Sequence, residues 1–213
     1  LDQIDGAPDR LGQPTGAPQN AIAVIHNGEI KARYIKHHLP NYGVFDEFRN
    51  FVPGEKSVVV RIGGVDVGLA ICEDIWQNRG PVAQIAERKV GLVIVPNGSP
   101  YERNKDDVRL ALVQERARGF NAALAYVNMV GAQDDLVFDG DSIVVDATGE
   151  VLMRTKQFED QLAIHDLTLP LRTSNPDVVI SEAGPKIEGT MHGGIAQRKD
   201  DLAEIWEALK SGL

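Results

Sequence analysis

Residues 58–72 constrain this chain more than any other stretch. Two apolar, β-branched runs, 58–62 and 65–71, are separated by Gly63-Gly64, the pattern of a tight hairpin. Successive strand side chains point to opposite faces, so Val65, Val67, Leu69 and Ile71 share one face and Asp66, Gly68, Ala70 and Cys72 the other. Towards the end of this strand both faces are small or apolar, which predicts a strand covered on both sides. Such a strand needs a layer above and a layer below. The spacing supplies candidates for them. Val82, Ile85 and Ala86 repeat at helical intervals, as do Leu110, Val113, Ala117 and Phe120 within a helix predicted over 105–121. Residues 91–97 (GLVIVPN) and 124–130 read as strands. Further hairpins are predicted for 21–25 with 30–36 across Asn27-Gly28, and for 141–146 with 150–154; residues 161–167 read as an edge strand. Hairpins mixed with β-α-β-α-β predict an α/β fold, a mixed sheet with helices packed on it.

Composition narrows the class of function. The 213 residues carry 31 acidic and 22 basic side chains, a net charge of −9, and no basic patch; nucleic acid is an unsuitable partner for such a surface. No apolar run approaches the about 18 residues of a membrane helix, so no membrane role is expected. Cys72 has no second cysteine to pair with, which suits a reducing compartment and a cytoplasmic location. Residues 1–20 are polar and rich in Gly and Pro, without the apolar core of a signal peptide. They read as a loop entered from preceding sequence. Residues 173–197 shift to Gly, Pro, Ser and charge and read as a linker. Leu202, Ile205, Trp206 and Leu209 then mark a helix opened by Asp200 or Asp201. The expectation is a fragment of a longer protein.

Cys72 ends a predicted strand where acidic residues open the next segment (AICEDIW). A nucleophile placed there meets the backbone N–H groups that follow it; a cysteine there is equally a small core hydrophobe. A nucleophilic thiol needs a cation or base nearby. Lys36, at the end of another strand, is a candidate cation, although taken alone it reads first as an ordinary solvated edge lysine. His37-His38 resembles a metal pair, but neighbours on an extended segment face opposite ways, so no metal site is expected. The acids at 134–135, Asp139 and Asp141 lack calcium-loop spacing and read as turn and hairpin entry.

Four stretches read together carry a resemblance. They are KHHLPNYGVFDE from Lys36 to Glu47, CEDIW from Cys72, NGSPY at 97–101 followed by Lys105 and Asp107, and LVFDGDSIVVD at 136–146. Across about residues 21–167 the chain resembles the nitrilase superfamily, and within it the glutamine amide hydrolase domains of bacterial glutamine-dependent NAD synthetases. The resemblance implies an αββα sandwich, incomplete here because its first βα elements are missing. It implies a partial glutaminase domain over 1–172, then a linker and the start of a synthetase domain over 173–213. It also implies roles. Cys72 is the nucleophile, and Lys36 stabilises the oxyanion together with the Glu73 backbone N–H. Glu47 is a second acid that orients Lys36. Tyr42, Ser99 and Lys105 line the pocket for L-glutamine, Lys105 facing the substrate α-carboxylate. The family's general base is a glutamate well upstream of the lysine. Residues 1–35 offer only Glu29, in a hairpin, so residues 1–213 alone are expected to lack steady turnover. No phosphate-binding loop is present; ATP and Mg are implied only for an absent synthetase domain, the second partner beside a homo-oligomeric copy. The alternatives are a free-standing carbon-nitrogen hydrolase and a non-catalytic assembly piece.

Overall fold

A computed structural model describes residues 18–185 and 190–213; the polar opening expected as a loop lies outside them up to residue 17. The first described elements form a hairpin, β1 (Ala21–His26) and β2 (Glu29–Ile35), turned at Asn27 and Gly28, both with positive φ (53° and 77°). Asn-Gly is favoured there because both turn positions are left-handed. Then come α1 (Glu47–Asn50), β3 (Val58–Ile62), β4 (Val65–Leu69), a 3-10 turn (Cys72–Trp76), α2 (Pro81–Arg88), β5 (Leu92–Asn97) and α3 (Lys105–Phe120). The remaining elements are β6 (Ala123–Asn128), β7 (Val130–Gln133), β8 (Leu136–Asp139), β9 (Ile143–Val145), β10 (Val151–Arg154), β11 (Val178–Val179) and α4 (Asp201–Ser211). Seven strands form one sheet in the order β10-β9-β6-β5-β4-β3-β11. Its centre, β4-β5-β6, is parallel, with α2 and α3 as the crossovers; β3 joins β4 antiparallel, as β9 does β6. This is the mixed α/β sheet expected.

Both faces of the sheet are covered. Val59, Ala70, Val93, Val95, Leu124, Tyr126 and Ile143 pack beneath Val82 and Ile85 of α2 and Val113, Ala117 and Phe120 of α3. Gly68 permits this approach, because a Cβ there would sit 2.9 Å from the Ile85 Cγ2. On the other face Val60, Val67, Leu69 and Ile71 pack with Tyr34 and with Ile22, Val24 and Ala32 of the first hairpin. The alternation read along 65–71 divides these residues between the two cores as expected.

Four expectations need correction. β4 stops at Leu69, not at Ile71, because the Asp74 carboxylate takes the Ile71 N–H and turns the chain. The strand expected over 124–130 ends at Asn128, and β7 and β8 form a separate hairpin. Residues 161–167 form no strand. Leu162 is 89% exposed, so its apolar alternation covers nothing, and Asp166 only exchanges bonds with Met191. Residues 173–181, read as linker, bond to the sheet instead. The Asp177 N–H donates to the Val59 carbonyl, the Val59 N–H donates to Asp177 Oδ2, and β11 extends the edge beside β3. Residues 186–189 of that stretch lie outside the described residues. α4 is capped by Asp200, whose Oδ1 accepts from the Ala203 N–H at 2.9 Å. Glu204 is buried on Gln157, while Leu202, Trp206 and Leu209 face outward.

Candidate active site

Lys36 follows the last residue of β2. Its backbone N–H donates to the Asn20 carbonyl and its carbonyl accepts from Gly54, so the chain is pinned on both sides. The side chain is 1% exposed, and its Nζ lies 2.7 and 2.8 Å from the two carboxylate oxygens of Glu47. Burial of an ammonium is tolerable only with such a partner. Glu47 opens α1, and the Pro40 carbonyl accepts from its backbone N–H.

Cys72 stands where β4 has ended and the 3-10 turn begins, with φ at +42°. A non-glycine residue is held in that region only by its surroundings. Burial pushes its thiol pKa up, and Glu47 and Glu73 push the same way. Lys36 and the Gly98 N–H pull it down without overcoming burial. The resting group is therefore a thiol, and an attack requires a base. Asp74, two residues on, is fully buried and accepts from Tyr34, Ile71, His37 and His38.

A cavity of about 440 Å³ opens over Cys72. Tyr42, Glu73, Ser99 and Lys105 line it, so five of the seven sequence-predicted residues share these walls; Lys36 and Glu47 do not line it, though the charges of both reach Cys72. The Tyr42 hydroxyl donates to Glu73 Oε2 at 2.7 Å, and burial followed by that bond raises the phenol pKa. Gln77 holds the other Glu73 oxygen at 2.9 Å. Lys105 pairs with Glu102 and Arg103 with Asp201 at the rim.

Sequence reasoning missed Trp76, Phe45, Glu102 and Arg103 in the walls, and the polar frame behind Ser99. Arg109, fully buried, donates to both Asp139 oxygens at 2.8 and 2.7 Å and to the Ser99 and Pro100 carbonyls. Asn128 bonds both the N–H and the carbonyl of Ser99. Asp141 is held by Arg154 through two bonds of 2.6 Å. Asp134 and Asp135 form the turn between β7 and β8 as expected, whereas Asp139 and Asp141 are arginine partners, a long-range pairing no local pattern reveals. His37 Nδ1 meets the Gly54 carbonyl and His38 Nε2 the Arg79 carbonyl; the two rings nevertheless lie edge to face with centroids 4.6 Å apart, not on opposite sides as expected, because the segment is no longer a strand there. Among the described residues no cluster of three metal-ligating side chains occurs.

The carbon-nitrogen hydrolase family model matches residues 11–176. The chain belongs to this family. The carbon-nitrogen hydrolase described here is 37% identical over 228 residues to the glutamine-dependent NAD(+) synthetase of Xylella fastidiosa strain 9a5c, a match covering all of this chain and 42% of that protein. The glutamine-dependent NAD+ synthetase of Acinetobacter baumannii, solved with ADP, superposes with a TM-score of 0.78 at 34% identity, over 92% of this chain and 34% of that one. A variant of the Nesterenkonia sp. AN1 amidase, solved with the acetamide moiety of fluoroacetamide covalently on its active-site cysteine, gives 0.53 at 35% identity, over 61% of this chain and 47% of that one. The carbon-nitrogen hydrolase chain thus spans about two fifths of the first of these relatives, and its mixed sheet matches nitrilase-superfamily structures.

Proposed function

We propose that this chain is the glutamine-hydrolysing part of a glutamine-dependent NAD synthetase. One observation carries the reading: the cavity over Cys72 has both signs of charge in its walls, Glu73 and Glu102 with Lys105 and Arg103. Glutamine presents an ammonium and a carboxylate beside its carboxamide, and such walls complement both. A simple aliphatic amide has neither. The names of the longer relatives support the same substrate.

In the reaction, the Cys72 Sγ loses its proton to a carboxylate base and attacks the carboxamide carbon. The carbonyl electron pair moves onto oxygen, where the Lys36 ammonium and the Glu73 N–H stabilise it. The intermediate collapses as the C–N bond breaks with its nitrogen protonated, releasing ammonia and leaving a γ-glutamyl thioester. Water then adds, the C–S bond breaks, and glutamate leaves as the thiol regains its proton. Glu47, fixed on Lys36, orients the ammonium. The resemblance assigns the proton relay to a glutamate that residues 1–35 do not contain. The ammonia serves an ATP- and Mg-dependent amidation of deamido-NAD in a synthetase domain, for which this chain holds no phosphate loop.

Ammonia release from glutamine by the complete gene product, against Cys72→Ala and with acetamide and propionamide in parallel, tests the reading. Glutamine turnover abolished by Cys72→Ala is expected. Preference for the aliphatic amides would instead assign a free-standing amidase. Inertness towards all three would leave an assembly role.

A further inference from the structure

We propose that Asp74 is the positioning residue of this site: its buried carboxylate ties the turn carrying Cys72 to the strand end carrying Lys36. The proposal rests on the cysteine-hydrolase reading above. Asp74 does not line the cavity over Cys72, so any effect on the reaction passes through the residues it holds.

Two sets of bonds meet on it. Locally, the Ile71 N–H donates to Oδ2 at 3.0 Å and the Asp74 N–H returns to the Ile71 carbonyl at 2.9 Å. These close a ring around Cys72 and Glu73, and a closed ring is what a left-handed Cys72 requires. From the far side, the Tyr34 hydroxyl donates to Oδ2 at 2.6 Å, and the His37 and His38 N–H groups to Oδ1 at 3.2 and 2.9 Å. Those donors flank Lys36 and lie 36 to 40 residues from Asp74 in sequence. An acid that merely opened the turn would need the Ile71 bond alone. Tyr34 and Asp74 are both at zero exposure, and a charge-assisted bond away from water is among the stronger ones available. The two segments have no backbone ladder between them: β2 pairs with β1, and β4 with β3 and β5. The carboxylate is thus a buried polar link between the two segments, deeper than the Tyr42–Glu73 bond at the cavity wall, and we take it to set the lysine relative to the sulfur.

Asp74→Asn is a demanding substitution because the Ile71, His37 and His38 partners are all N–H donors. Whichever way the amide turns, its NH2 faces at least one of them. In the complete gene product, glutamine turnover should fall about 100-fold, the scale of a small misplacement of reacting groups. Alkylation of Cys72 by iodoacetamide at pH 8, followed on its own peptide by mass spectrometry, should slow about tenfold as the lysine's field is withdrawn. In a Lys36→Ala background the same substitution should change alkylation less than twofold, since a positioning effect has then nothing left to position. A structural loosening would speed alkylation, or act equally in both backgrounds, and either result overturns the proposal. Tyr34→Phe removes one of the four donors and keeps the charge; it should cost about fivefold in turnover, the scale of one hydrogen bond. If Asp74→Asn does not fold, a folded Tyr34→Phe with unchanged turnover is sufficient to overturn it. Failure of the glutamine reading is separate: it shows as unmodified protein that alkylates at Cys72 yet releases no ammonia from glutamine.

Discussion

Among the described residues two cationic side chains are completely buried, Lys36 and Arg109, and their surroundings are opposite. Arg109 is closed off. Its planar fork meets both oxygens of an equally buried Asp139 and two backbone carbonyls. Lys36 is left open. Its partner Glu47 keeps about a fifth of its side chain in solvent, and the charge of the ammonium reaches the Cys72 thiol, drawing its pKa down against burial. A guanidinium offers several donors in fixed directions and suits a frame; an ammonium is a compact point charge with a donor to spare for an oxygen that appears only during reaction. The Arg109 pair is bonded to the Ser99 wall, and the Lys36 pair is the one given a part in the proposed reaction.

The largest expected effect tests the closed pair. Arg109→Met strands the Asp139 carboxylate in the core and should cost about 3–5 kcal/mol of stability in urea unfolding. Adding Asp139→Leu should recover most of it, because the stranded charge is gone. A single substitution costing under about 1 kcal/mol would show that the pair is not the frame described. Next in size, Lys36→Met should lower glutamine turnover by about 10²–10³-fold, the loss of one oxyanion donor. Its unfolding free energy should change less than that of Arg109→Met, since Glu47 keeps about a fifth of its side chain in solvent whereas Asp139 has almost none. Equal stability losses at the two sites would erase the contrast drawn here.

A smaller effect concerns pH. Because burial holds the Cys72 thiol above its ordinary range, thiolate accumulates only as pH rises. Alkylation of the free enzyme should therefore climb about tenfold per pH unit between 7 and 9 without levelling. A plateau near pH 7 would mean that Lys36 outweighs burial after all. Smallest of all, Asp201→Asn removes the partner of Arg103 on the open rim and should leave the melting midpoint unchanged within error.

The core was legible because its periodicity is local. The alternation at 65–71 and the helical spacing in 105–121 named the residues that now fill both faces of the sheet. The site was legible through motifs: Cys72, Glu73, Tyr42, Ser99 and Lys105 line one cavity although they come from four separate segments. What escaped was pairing at long range. Asp139, Asp141 and Asp177 read as turn or linker acids, yet their partners are an arginine 30 residues earlier, an arginine 13 residues later, and a backbone N–H 118 residues away. A carboxylate in a polar stretch looks the same in sequence whether it faces water or an arginine. Apolar alternation misled at Leu162 for the converse reason, since spacing does not tell whether another layer arrives to cover it.

The first turn of α3 bears two kinds of load at once. Lys105 belongs to the cavity wall, while Asp106 and Asp107 hold Arg198, and Arg103 just ahead of the turn holds Asp201. Residues that follow some 90 positions later are therefore riveted to the mouth of the cavity, and Gln157 anchors the same stretch at Glu204 and at the Lys199 N–H. In mechanical terms α4 is a lever whose short arm ends at the rim. A pull on α4 either moves the wall that carries Lys105 or shears ion pairs, and the compliance of the mouth is set by a segment outside the sheet.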